Sequence, residues 1–91
     1  MGSPPQRVLL PTEPVVLTTQ QIAELNEHLA KVRHDINNKL AVLVAAMDLV
    51  RYKPESAEKY LASIHEQPVS ISESLRAFST EFEKALRINR P

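Results

Sequence analysis

The chain has 91 residues, too few for more than one small domain, and one of this size buries only a modest share of its surface when it folds alone. Eleven basic and eleven acidic residues balance to zero net charge and are interleaved along the chain, which excludes an electrostatic footprint for nucleic acid or an anionic membrane surface. With no cysteine there are no disulfides, thiolates or cysteine-rich zinc sites, a composition that suits a reducing cytoplasm, and cytoplasmic localisation is the expectation. The longest apolar run, residues 40–47, is far too short to span a bilayer, and the opening Met1-Gly2-Ser3-Pro4-Pro5 lacks the apolar core of a signal peptide.

Residues 1–17 carry Pro4, Pro5, Pro11 and Pro14, which remove backbone donors and disfavour helix, so this segment reads as an extended linker or N-terminal arm. Its two apolar patches, residues 8–10 and 15–17, either pack on the helices as short extended segments or form the junction to an upstream domain. The pattern leaves both open. The first helix starts sharply: Thr18 as N-cap and Gln21 three residues later form a capping box, with Leu17 and Ile22 placed as a hydrophobic staple. From there Ile22, Leu25, Leu29, Val32, Ile36, Leu40, Leu43, Met47 and Val50 recur at steps of three and four, a heptad seam that predicts a left-handed supercoil. Val42, Ala45, Ala46 and Leu49 add a second apolar flank, more than one antiparallel neighbour covers.

Residues 52–55 contain Pro54, favourable in a first helical turn and poor further in, so the chain reverses there. A second helix is expected to about Arg87, followed by a tail over residues 88–91. Its seam is Leu61, Ile64, Pro68, Ile71, Leu75, Phe78, Phe82 and Leu86, with Pro68 expected to bend it. Each helix is then about 33 residues, roughly 50 Å long. The fold class is all-α: an antiparallel two-helix hairpin over residues 18–87, exposing so much apolar surface that two copies are expected to dimerise into a four-helix bundle. Antiparallel pairing about the turn sets His34 level with Ser72 to Ser74, and Lys39 level with Pro68.

Inside the first helix lies His34-Asp35-Ile36-Asn37-Asn38-Lys39-Leu40, a histidine, an acid and an amide within about one turn. At about 100° per residue, Ile36 shares the face of Val32, His34 points nearly opposite, and Asn38 sits one turn beyond His34. An exposed neutral imidazole has a nitrogen lone pair free to attack phosphorus. Asp35 can accept a hydrogen bond from one ring nitrogen, fixing the tautomer and making the other nitrogen the nucleophile. The plain alternatives are a solvated histidine, a surface carboxylate and a solubilising amide.

The heptapeptide resembles the phosphoacceptor box of the dimerisation and histidine-phosphotransfer domain of two-component sensor histidine kinases, in the branch that reads His-Asp-Ile/Leu-Asn-Asn-Pro-Leu. Six of the seven positions match, and the departure is Lys39 in place of a helix-kinking proline. The bend at Pro68 is the proposed substitute for that kink. The resemblance implies that His34 accepts a phosphoryl group and exchanges it with the aspartate of a response-regulator receiver domain, that Asp35 assists phosphorylation, and that Asn38 orients water for attack on a receiver's phosphoaspartate. It agrees with the homodimer deduced from the seams.

The single glycine, Gly2, leaves no glycine-rich loop to cradle nucleotide phosphates and no Mg²⁺ constellation beside one. No cofactor is expected in this chain; ATP and Mg would belong to a separate catalytic domain acting in cis or in trans. The resemblance then implies the phosphoacceptor part of a histidine kinase or a stand-alone phosphotransferase, with no enzymatic activity of its own assigned. His28 and His65 are expected to be surface residues, and no metal site is expected. The alternative function is a non-catalytic four-helix-bundle module for dimerisation or partner binding.

Overall fold

The computed structural model describes residues 8–89. Two long helices account for most of them: α1 over Thr19–Tyr52 and α2 over Ala57–Ala85, joined by a 3₁₀ turn at Pro54–Ser56. The capping box at the start of α1 is complete. Thr18 is extended, its hydroxyl accepts from the Gln21 amide at 3.0 Å, and the Gln21 side chain accepts from the Thr18 amide at 2.8 Å. Two of the orphan donors of a helix start are thereby satisfied within one turn. At the other end the Lys53 amide donates to Leu49 at 2.8 Å, and Pro54, with no amide hydrogen to lose, opens the turn that reverses the chain.

α2 runs without interruption through Pro68, which leaves the Ile64 carbonyl without its usual amide partner. It ends two residues short of the expected boundary. Arg87 takes a left-handed φ of 55°, the Ile88 amide donates to Glu83 at 2.8 Å and the Arg87 amide to Lys84 at 3.4 Å. This is the Schellman ending that glycine usually supplies, here made by an arginine. Beyond it the chain turns back on the arm. Leu9 and Asn89 exchange both backbone hydrogen bonds, at 2.7 and 2.9 Å, so the first apolar patch packs as an extended segment against the tail.

The thinnest dimension is 14 Å, a single layer of helices, and the radius of gyration of 18.6 Å compares with about 12 Å for a compact domain of this length. Among the described residues only Val32 and Ala46 are buried, each 5% exposed. The line of α1 that faces α2 reads Leu25, His28, Val32, Asp35, Lys39, Leu43, Ala46 and Val50, all buried or half-buried. That of α2 reads Tyr60, Ile64, Gln67, Ile71, Ser74, Phe78, Glu81 and Ala85, all half-buried.

The seams expected from the sequence therefore divide. Leu25, Val32, Leu43 and Val50 turn toward α2, whereas Ile22, Leu29, Leu40 and Met47 stay exposed, at 52%, 41%, 44% and 54%. On α2, Ile64, Ile71 and Phe78 turn inward, while Leu61, Leu75 and Phe82 remain exposed at 51%, 48% and 39%. A seam at steps of three and four is too wide for one neighbour. At about 100° per residue each exposed stripe lies about 90° round from the inward line, in the same rotational sense on both helices. Because the helices are antiparallel, those equal offsets bring both stripes to one side of the hairpin, as a single apolar face along its length.

Candidate functional site

His34 lies midway along α1 and is exposed, directed away from the apolar face. Asn38, one turn toward the connection, is exposed too, and its carboxamide nitrogen stands 3.3 Å from Nε2 of His34. The i to i+4 spacing stacks the two side chains along one helix edge, so this contact follows directly from the order of residues in the box. Asn37 is exposed and has no hydrogen-bond partner among the described residues, as a solvated amide would.

Asp35 behaves differently from expectation. It is half-buried on the line facing α2, and no hydrogen bond joins it to His34 among the described residues. Neighbouring residues on a helix are splayed by about 100°, which separates the acid from the ring even though they are adjacent in the chain. Lys39 is likewise half-buried on that line. It follows Asp35 by four residues, yet the two form no ion pair within the described residues. The helix passes through position 39 unbroken, since lysine keeps the amide that a proline would remove.

His28 is the larger correction. Expected at the surface, it is 26% exposed and paired through Nδ1 with Glu81 of α2, its ring edge-on to Phe78 at 5.3 Å and 76°. Its position in the seam was the available signal: it follows Leu25 by three residues and precedes Val32 by four, so it belongs on the inward line. The pair also fixes the register. Moving six residues along α1 and back along α2 puts His34 level with about Leu75, and a further five put Lys39 level with about Ser70. Those levels lie within three residues of the sequence expectation, and Pro68 lies within one turn of Lys39. His65 is exposed as expected.

No group of three or more potential metal ligands occurs among the described residues, and no helix there is long and apolar enough to cross a membrane. The chain matches no family model, no curated protein and no solved structure.

Proposed function

We propose that this chain is a histidine phosphotransfer and dimerisation module of two-component type. His34 accepts a phosphoryl group and exchanges it with the aspartate of a receiver domain, Asp35 is the neighbouring acid that assists phosphorylation, and Asn38 orients water for attack on a receiver's phosphoaspartate. Two copies bury their apolar faces together as a four-helix bundle, which leaves His34 of each on the outside. The observation that carries the reading is the placement of an accessible imidazole, in contact with Asn38, on the side of the hairpin turned away from its long apolar face. A phosphoacceptor must be reached by other domains, whereas an apolar stripe must not stay in water.

A non-catalytic bundle is the second reading, favoured by the separation of Asp35 from the ring and by Lys39 in the box. The discriminating experiment supplies a catalytic domain in trans, or a phosphorylated receiver, and follows label. The phosphotransfer reading expects an acid-labile, base-stable phosphate on the parent chain and none on His34→Gln. A parent chain that accepts no phosphate from any such donor, while folding normally, gives the case to the structural bundle.

A further inference from the structure

The contact between Asn38 and His34 has a direction. A carboxamide nitrogen carries hydrogens and only donates, so at 3.3 Å from Nε2 it requires a lone pair on that nitrogen, and a neutral ring then holds its proton on Nδ1. An unassisted neutral histidine side chain prefers the opposite tautomer, with the proton on Nε2. We propose that Asn38 is a positioning residue that selects the Nδ1–H tautomer of His34 and presents Nε2 as the nucleophilic nitrogen. Asp35, the residue whose type best suits that task, is half-buried on the α2-facing line and does not reach the ring.

The proposal rests on the phosphotransfer reading and adds how the reacting nitrogen is chosen. With a receiver phosphoaspartate as donor, the Nε2 lone pair forms the N–P bond as the acyl P–O bond breaks. The electron pair leaves on the receiver carboxylate, and the resulting imidazolium gives up its Nδ1 proton to water. The amide has to swing off Nε2 for this to occur, and an exposed contact of 3.3 Å allows it, biasing the ring rather than locking it. The identity of residue 38 then sets the tautomer. Alanine removes the donor, and aspartate, which only accepts when ionised, draws a proton onto Nε2 and leaves the lone pair on Nδ1.

Long-range ¹H–¹⁵N correlation spectra of the ¹⁵N-labelled chain, recorded where imidazoles are neutral, read the tautomer without any phosphoryl transfer. His65, exposed and with no hydrogen-bond partner among the described residues, serves as the internal control. The expected result is a downfield, unprotonated Nε2 for His34, as for His28, whose Nδ1 proton is held by Glu81, and unlike His65. The His34 signal shifts to the protonated position in Asn38→Ala and further in Asn38→Asp, with His28 and His65 constant throughout. A His34 pattern identical to that of His65 in the parent chain overturns the proposal. So does a pattern unchanged in Asn38→Ala, which would mean that the amide oxygen accepts from Nε2–H or that the contact does not form. Circular dichroism of both variants checks that α1 is intact. If the tautomer shifts as expected while the chain accepts no phosphate, the phosphotransfer reading fails and the positioning by Asn38 stands; the reverse pair of results sinks only Asn38.

Discussion

The two long sides of the hairpin are both exposed, but for opposite physical reasons. One presents Ile22, Leu29, Leu40, Met47, Leu61, Leu75 and Phe82 in two parallel stripes; the other presents His34 and Asn38, polar and hydrogen-bonded to each other, with Val42 as a lone exposed apolar residue one turn on. Exposed apolar area costs roughly 25 cal/mol for each Å² left in water, so a continuous face of seven large side chains is a demand for a partner. Exposed polar groups make no such demand. Under the proposed function the contrast separates surface covered in a dimer from surface left open for phosphoryl transfer, and substitutions on each side test that separation.

The largest effect is expected inside the hairpin, where neither kind of exposure applies. Leu43 faces α2 and is half-buried, so Leu43→Asp sets an unpaired carboxylate against the partner helix. A loss of about 3 kcal/mol or more is expected. Since a lone hairpin has little stability to spare, the far-ultraviolet helical signal should collapse at room temperature. A native-like spectrum would mean that the inward line is wrongly placed.

Leu75→Asp probes the apolar face. Half exposed within one hairpin, Leu75 contributes little to contact with α1, so the expected defect lies in association. Sedimentation should show the parent at the mass of two chains and the variant at the mass of one across the micromolar range, with weakened helicity following dissociation. A parent chain that sediments as a monomer breaks the comparison at its root, because the face would then be exposed without a partner.

Arg87→Gly is expected to act in the stabilising direction. The Schellman ending holds Arg87 at a left-handed φ of 55°, where a Cβ costs on the order of 1 kcal/mol and glycine nothing. A rise in thermal midpoint corresponding to about 0.5 to 1 kcal/mol should follow, after the greater freedom of glycine in the unfolded chain is offset. An unchanged or lower midpoint would show that the side chain, which lines the same hollow as Glu81 and Lys84, contributes more than the strain it causes.

Much of the fold was legible because its signals are local. The capping box needs only Thr18 and Gln21, the connection needs only Pro54, and the heptad steps need only apolar spacing. What spacing could not reveal was how a broad seam is shared. Ile22 and Leu25 look alike in the sequence, and only the presence of α2 on one flank makes Leu25 inward and Ile22 outward. His28 was misjudged because polarity was weighed above position, although steps of three and four placed it between Leu25 and Val32 opposite a carboxylate. At the site, the i to i+4 relation of His34 to Asn38 was legible from helix geometry alone. The separation of Asp35 from the ring followed from the same geometry, although adjacency in sequence had suggested adjacency in space. The arm was undecided because pairing between Leu9 and Asn89 joins residues eighty positions apart, which no local rule reaches.

The smallest expected effect falls on the residue of greatest functional interest. His34 touches nothing on α2 by hydrogen bond, lies outside the apolar face and takes part in no cap, so His34→Gln removes only an exposed contact with Asn38. Glutamine is a good helix former, and the stability change should fall within about 0.5 kcal/mol. Denaturant titration of parent and variant at equal concentration checks this, since the midpoint of an associating protein depends on concentration. A loss of several kcal/mol would require the imidazole to be buried and paired in the assembled protein, which would move His34 onto the covered side and reverse the distinction between the two faces. An unchanged midpoint together with abolished phosphate acceptance would separate stability from chemistry within one helix, two residues from the buried Val32.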